Sequence, residues 1–177
     1  MVVDEARLAL MLARDELHQL VTAYCRAVDR ADYDALRRLY HPDATDSHGS
    51  FSTGGVEEFI AQLQAAQPYV RVSQHNITTT NFAIDGDTAR GEVYCLAFHT
   101  FAGAEHDVDV VIGGRYLDTY SRHDGHWKFR HRTIVTDWAY QNDPSRLNFD
   151  HPSTRGALRG QPGADDPSFR LFSTPPG

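Results

Sequence analysis

The sequence predicts a single α+β domain in which three N-terminal helices pack against a curved antiparallel sheet. Two observations carry this prediction: apolar residues recur at helical spacing in roughly the first seventy positions, and β-branched and aromatic runs separated by turn dipeptides follow Pro68. Helices followed by an antiparallel meander are typical of a helical layer over one sheet face. The length of 177 residues suits one such domain with a sizeable core.

The helices are predicted from their apolar spacing. Residues 15–29 carry the stripe i, i+3, i+4, i+7 and i+11, formed by Leu17, Leu20, Val21, Tyr24 and Val28. Asp32 is placed to cap a second, shorter helix over 34–40, which His41-Pro42 ends because proline disfavours helical geometry in the residue before it. A third helix is predicted over 56–63, after a polar stretch, 43–55, that contains at most a short strand.

Four long strands are predicted over residues 70–84, 88–101, 108–121 and 126–139. Asp85-Gly86 and Asp124-Gly125 mark two tight hairpins, since primed turns need residues that tolerate positive φ. Gly113-Gly114 lies inside a strand pattern and indicates a bend or bulge in a strongly curved sheet.

The C-terminal segment has a different composition. Residues 141–177 follow neither period, and six of the eight prolines fall there. We therefore assign 1–140 to the domain and 141–177 to a proline-rich tail. Its apolar group, Phe169-Arg170-Leu171-Phe172, is expected to dock on its own domain or on a neighbouring subunit.

The composition argues against several functional classes. Seventeen Lys and Arg against twenty-four Asp and Glu give a net charge of −7, and phosphate neutralisation dominates nucleic-acid binding, so no nucleic-acid partner is expected. No membrane-spanning segment is predicted either. The N-terminus has acidic residues and no basic start before an apolar run, unlike a secretory signal. Cys25 and Cys95 lack a motif spacing and are expected to be reduced core thiols, so a cytoplasmic protein is predicted.

Ten histidines direct attention to acid–base chemistry. His75 and His99 lie inside predicted strands, where a general base would be held rigidly, although a structural role is the common alternative. Asp29 ends the first helix, where the helix dipole disfavours a carboxylate. It therefore either bonds backbone donors at the corner or orients a histidine and stabilises its charged form.

No metal or cofactor site is predicted. Two histidines and two aspartates lie within 41–48, but their spacing matches no ligand motif, and such residues usually form caps and Asx turns. No glycine-rich phosphate loop is present. Strict alternation over 127–133 would direct Arg132 away from the face that carries Trp127 and Phe129, and a bulge would reverse this.

Four motifs occur in an order that a known family shows: Tyr24-Cys25-Arg26-Ala27-Val28-Asp29, Tyr40-His41-Pro42-Asp43-Ala44, Gln74-His75 and Ile112-Gly113-Gly114-Arg115-Tyr116. Over roughly residues 10–140 the chain resembles the SnoaL-like branch of the nuclear transport factor 2-like superfamily. This resemblance implies a cone-shaped α+β barrel with a deep apolar pocket.

The resemblance also implies a site. Asp29 and His75 match an aspartate and a histidine that form a dyad in dehydratase and dehydrochlorinase members. Tyr24, His99 and Arg132 match pocket residues of individual members, which for Arg132 favours the bulged strand. The implied activity is a cofactor-independent lyase acting on a small alicyclic, steroid-like or polyketide-like molecule. His75 would take a proton from carbon while Tyr24 or His99 donates a hydrogen bond to a carbonyl or departing hydroxyl.

Other functions fit the same residues. A double-bond isomerase or a polyketide cyclase would use the same dyad as base, and the same fold serves as a non-catalytic ligand-binding module or dioxygenase β subunit. The resemblance further implies a hydrophobic small-molecule ligand and a homo-oligomer, either a trimer or a dimer.

Overall fold

The computed structural model describes residues 4–173. Met1-Val2-Val3, on which the absence of a secretory signal partly rests, and the last four tail residues lie outside this range. The helices are α1 (Glu5–Asp29), α2 (Tyr33–Leu39), α3 (Val56–Ala66) and α4 (Pro167–Ser173). The strands are β1 (Tyr40–Ser47), β2 (Thr53–Gly55), β3 (Val70–Asp85), β4 (Thr88–Phe101), β5 (Val108–His123) and β6 (His126–Asn142).

The first three helices agree with the sequence pattern except at the start of α1, whereas α4 lies in the tail, where no helical period is found. This helix begins at Glu5, capped by Asp4, whose side chain accepts a hydrogen bond from the Arg7 amide at 3.2 Å. Its first two turns are exposed, and Ala13 is its first buried residue, so no apolar stripe marked them. Asp32 caps α2 as predicted and accepts from the Ala35 amide at 3.0 Å.

The six strands form one curved sheet in the order β2-β1-β6-β5-β4-β3. Strands β3 to β6 form the predicted antiparallel meander, and the α+β class is confirmed. The expectation of at most a short strand within 43–55 is wrong, as is that of a purely antiparallel sheet. Strand β1 has eight residues and pairs in parallel with β6. The polar sequence around Pro42 has low β-propensity and does not predict this long-range pairing.

Strand β6 contains a bulge that decides which residues face the core. Thr119 pairs with His131 and Tyr120 pairs with Phe129, which leaves Arg130 as an extra residue on β6. Phe129 and Arg132 therefore share the buried face, and strict alternation does not hold. A second register shift falls at the predicted Gly113-Gly114 bend. A Cβ on Gly113 would come within 2.2 Å of the Trp138 ring, so the close approach requires glycine.

The core lies between the helices and the sheet, and its fully buried aliphatic and phenylalanine side chains include Leu17, Val21, Leu36, Phe59, Ile60, Val93 and Phe129. The largest helix–sheet interface is that of α1 with β3. This packing places the C-terminal end of α1 beside the first half of β3 and so positions Asp29 near Ser73 and His75.

The tail folds back on the end of α1. Arg30 Nη1 lies 3.4 Å from Asp166 Oδ2, the Gly163 amide donates to the Arg30 carbonyl, and the Arg26 guanidinium lies over the Phe169 ring at 4.9 Å. The Phe172 side chain is outside the described structure. The boundary between residues 140 and 141 stays a prediction, and β6 runs to Asn142.

The outer sheet face is partly apolar and exposes Tyr94, Leu96, Leu117, Trp138 and Tyr140. The homo-oligomer stays a prediction. Within residues 4–173, no helix combines the length and the apolar character needed to cross a membrane.

Candidate active site

A mostly apolar cavity of about 300 Å³ lies between the helices and the inner face of the sheet. Its apolar lining includes Val28, Phe51, Phe59, Leu63, Val70, Phe101, Ile112 and Ile134. A small set of polar side chains also reaches it: Tyr24, Tyr33, His48, Gln67, Ser73, His75 and His99. An apolar cavity with a few convergent polar groups is the usual form of a small-molecule site.

Asp29 and His75 form a hydrogen-bonded pair, of which His75 lines this cavity. His75 Nδ1 lies 2.7 Å from Asp29 Oδ1, and the two side chains are only 11% and 8% exposed. The Asp29 carboxylate also accepts the His75 amide at 2.9 Å and the Ser73 hydroxyl at 2.8 Å. With Nδ1 donating to Asp29, Nε2 of neutral His75 keeps its lone pair, which is what a general base needs.

The environment keeps Asp29 ionised. Burial alone raises the pKa of its carboxyl, but the hydrogen bond and charge of His75, the His75 amide and the Ser73 hydroxyl outweigh burial, and the net pKa lies below its usual value of 3.8. An ionised Asp29 orients the imidazole and stabilises the imidazolium that forms when His75 takes a proton.

His99 lies next to His75. The two ring centroids are 5.1 Å apart with the planes at 68°, and the His99 ring stacks on Phe101. Burial, helped by the neighbouring His75, lowers the pKa of His99 to about 4, so this imidazole is neutral near pH 7. A neutral His99 does not donate a full proton, but its N–H can polarise a bound oxygen.

Tyr24 contributes a buried hydroxyl to a different part of the cavity wall. Its Oη lies 3.3 Å from His48 Nε2. His48 Nδ1 in turn bonds Asp46 Oδ1, and Tyr40 donates to the other carboxylate oxygen of Asp46 at 2.6 Å. Asp46 is fully buried, so this carboxylate is stabilised by its neighbours and not by water.

Arg132 lies behind Tyr24 and outside the cavity lining. It makes a two-point ion pair with Asp118, at 2.8 and 2.7 Å, and both side chains are inaccessible to solvent. Its guanidinium lies 4.1 Å from the Tyr24 ring centroid and 3.9 Å from that of Tyr116. The bulge in β6 thus directs Arg132 inward, where it supports the aromatic wall without lining the cavity.

Three of the five predicted residues, Tyr24, His75 and His99, line one cavity, and Asp29 is bonded to His75 from behind the lining. Sequence reasoning missed His48 and Asp46, because residues 41–48 were interpreted as caps and turns. Alternation was the available signal, since Ala44 and Asp46 share the buried face of β1 and His48 follows at the same spacing. Among residues 4–173, no three His, Cys, Asp or Glu side chains are grouped to hold a metal.

Most of the domain matches a known protein family. Residues 9–133 match the family model described as a SnoaL-like domain. Uncharacterized proteins of Mycobacterium tuberculosis and Mycobacterium bovis are 28% identical over 140 residues, covering 74% of this chain and 91% of theirs. The chain belongs to the SnoaL-like domain family.

Solved structures share the fold. A hexachlorocyclohexane dehydrochlorinase from Novosphingobium barchaimii superimposes with a TM-score of 0.70 and 20% identity over 82% of this chain and 99% of that one. A scytalone dehydratase-like protein from Novosphingobium aromaticivorans gives a TM-score of 0.67 and 18% identity over 78% and 91%. At these TM-scores the three chains share a fold.

Proposed function

We propose that this member of the SnoaL-like family is a cofactor-independent lyase that removes a proton and a hydroxyl from adjacent carbons of a small alicyclic molecule. The observation that carries the proposal is the Asp29–His75 pair, a buried and oriented imidazole at an apolar cavity. The solved structures named for dehydrochlorinase and dehydratase activities, both eliminations, support it through the shared fold.

The chemistry begins at His75. Its Nε2 takes a proton from carbon next to a carbonyl, and the charge that forms on the imidazole is stabilised by Asp29 at 2.7 Å. The developing enolate oxygen accepts a hydrogen bond from neutral His99, which is in ring contact with His75. A positioned acid–base group of this kind contributes about 10²–10⁴-fold to the rate.

The cavity limits the substrate. A volume of about 300 Å³ lies at the lower end of the range for small-molecule pockets and favours one or two fused rings over a full steroid nucleus. The aromatic and aliphatic lining favours a hydrophobic molecule that carries a carbonyl and a hydroxyl for the few polar groups. We therefore propose a cyclic β-hydroxyketone as the substrate class.

Two probes test the proposal. 3-Hydroxy-1-tetralone yields 1-naphthol on loss of water, which absorbance and fluorescence detect. 2-Tetralone exchanges its acidic C–H for deuterium in D₂O, which mass spectrometry detects. We expect His75→Gln and Asp29→Asn to lower both rates by about 10²–10⁴-fold. Exchange and elimination at the parental rate in both folded variants would refute the dyad.

The control for these variants is His126→Gln, because His126 is exposed in the β5–β6 hairpin and should leave both rates unchanged. A parent protein that is inert toward both probes would favour a non-catalytic ligand-binding role. The isomerase alternative rests on the same base. It predicts conversion of 3-cyclohexenone to 2-cyclohexenone without loss of water, monitored by the absorbance of the conjugated ketone.

A further inference from the structure

The cavity has a second histidine–carboxylate pair that the base chemistry does not use. His48 follows β1 directly and lines the cavity, with Nδ1 on Asp46 and Nε2 facing the Tyr24 hydroxyl at 3.3 Å. In the order of the sheet, β1 and β3 lie near opposite edges. His48 and His75 therefore reach the cavity from different parts of the fold.

We propose that Asp46, His48 and Tyr24 form a proton relay that delivers a proton to the departing hydroxyl. The inference rests on the proposed lyase function and deepens it, because an elimination needs an acid for the leaving group as well as a base for carbon. In this relay Tyr24 touches the substrate, and His48 and Asp46 are positioning residues that act through it.

The hydrogen-bond chain connects Asp46 to the Tyr24 hydroxyl through the two ring nitrogens of His48. Asp46 accepts from Tyr40 at 2.6 Å on one oxygen and from His48 Nδ1–H on the other. In the neutral ring, Nε2 accepts the Tyr24 proton. When His48 is protonated, Nε2–H donates to Tyr24 Oη, and the Tyr24 proton is free to point into the cavity.

Tyr24 requires such a partner to act as an acid. Burial raises the pKa of its hydroxyl well above the usual value of 10.0, and the charge of Arg132 opposes this only in part. A free tyrosinate in this position is therefore strongly disfavoured. If His48 replaces the proton as Tyr24 gives one up, the oxygen never carries a full negative charge.

The C–H electron pair forms the C=C bond as His75 Nε2 takes the proton, and the C–O electron pair leaves with oxygen. That oxygen takes the Tyr24 proton, Tyr24 takes the Nε2 proton of His48, and water departs. His48 ends neutral and His75 ends as imidazolium. Water returns a proton from His75 to His48 before the next cycle.

A purely structural role for His48 predicts a different result for a His48 variant. The His48 ring stacks on Phe59 with centroids 4.5 Å apart, and a packing residue would affect folding and both reactions together. The relay instead affects only the step that expels the hydroxyl. Deuterium exchange into 2-tetralone needs the base alone, and dehydration of 3-hydroxy-1-tetralone needs the base and the acid.

The test compares His48→Gln with His41→Gln. His41 also bonds an aspartate two residues along the same strand, Asp43, but lies outside the cavity lining, which makes it a matched control. For His48→Gln we expect kcat for dehydration to fall at least about 10²-fold, KM to change less than about threefold, and exchange into 2-tetralone to persist. Imidazole should restore dehydration in His48→Gly.

Equal dehydration by the parent and His48→Gln would overturn the relay while leaving the lyase proposal intact. A parallel loss of exchange and dehydration would overturn it too, since it would indicate packing. A parent inert toward 3-hydroxy-1-tetralone would overturn the lyase proposal and the relay together. These outcomes separate the failure of one proposal from that of the other.

A substrate-free measurement covers the case in which His48→Gln does not fold. In a ¹H–¹⁵N spectrum of the parent histidine rings, we expect neutral His48 to carry its proton on Nδ1 and the isosteric Asp46→Asn to shift that equilibrium toward Nε2. A parent ring that carries its neutral-form proton on Nε2 would overturn the relay, because Asp46 would then not orient it.

Discussion

The two histidine–carboxylate pairs at the cavity use the same chemical groups but are assembled differently. Asp29 and His75 are 46 positions apart and meet only because α1 packs on β3. Asp46 and His48 are two positions apart, and His48 continues the alternation of β1 one residue past its end, so the two side chains lie on the same side. The first pair is a product of tertiary packing, and the second is local and acquires its role from burial.

The difference shows how each pair is held. The Asp29 carboxylate accepts from both the ring and the amide of His75 and from Ser73, so the base is tied to the backbone of β3. The Asp46 carboxylate is held by side chains, those of Tyr40 and His48. We infer that the backbone of β3 fixes the position of the base, His75. The positions of His48 and Asp46 instead depend on neighbouring side chains.

The largest effects, on reaction rates, should come from replacing Asp29 and Asp46 in separate variants. Asp29→Asn should lower deuterium exchange into 2-tetralone by about 10²–10⁴-fold, because His75 loses the charge that orients and stabilises it. Asp46→Asn should leave exchange near the parental rate and lower only the dehydration of 3-hydroxy-1-tetralone. If both variants lose both reactions equally, the distinction between a base pair and an acid pair is wrong.

A smaller but still large effect, on the free energy of unfolding, is expected at the Arg132–Asp118 ion pair behind Tyr24. Asp118→Asn removes the partner of a fully buried Arg132, and leaving a buried charge unpaired costs about 3–5 kcal/mol. Urea denaturation of parent and variant measures this loss. Asp137→Asn is the control, because Asp137 pairs with Arg115 at the surface and should change stability little.

The stability of the folded protein should depend on pH through His99, which lies next to the base His75. Its pKa in the folded protein is about 4, below the ordinary 6.5, so the unfolded chain binds more protons between these values and stability falls as pH drops from 6.5 to 4. The difference corresponds to about 3 kcal/mol. His99→Phe should remove this part of the slope in denaturation curves collected across that range.

Asp29, whose pKa is lowered from 3.8, adds its own loss of stability below about pH 5, so the slope due to His99 is measured above that value. His126→Gln serves as the comparison, since that ring is exposed. An unchanged slope in His99→Phe would show that His99 is not the group responsible.

The smallest effect should be that of Ser73→Ala. The Ser73 hydroxyl donates to Asp29 at 2.8 Å, and losing one such bond costs about 1 kcal/mol or somewhat more. Exchange into 2-tetralone should fall only severalfold, because His75 keeps its two bonds to the carboxylate. Ser47→Ala, at an exposed bond to Thr53, is the matched control. A loss as large as that of Asp29→Asn would assign Ser73 a direct role.

Much of the fold could be predicted because its signals are local. The strand boundaries and the hairpin at Asp124-Gly125 follow from β-branched runs and from positions of positive φ, here 51° and 81°. The exposed start of α1 and the parallel pairing of β1 with β6 could not, since neither leaves a mark in the neighbouring residues.

The residues of the site also divide into those that local sequence signals predict and those that they do not. The strand positions of His75 and His99 and the helix-end position of Asp29 indicated candidates, but only the family resemblance joined Asp29 to His75. Asp46 and His48 resemble turn residues in composition, and their burial depends on α3, which supplies Phe59. A polar pair that becomes functional by burial is not visible before the fold is known.

The bulge at Arg130 constrains how β6 can change over evolutionary time. Deleting one residue there would restore plain alternation, turn the Arg132 guanidinium toward solvent and leave Asp118 without its cation. Insertions and deletions should therefore be purged from this strand, whereas the β5–β6 hairpin tip, exposed at Asp124 and Gly125, can absorb them. Alignments of relatives that slide a gap past position 130 would exchange an interior arginine for a surface one.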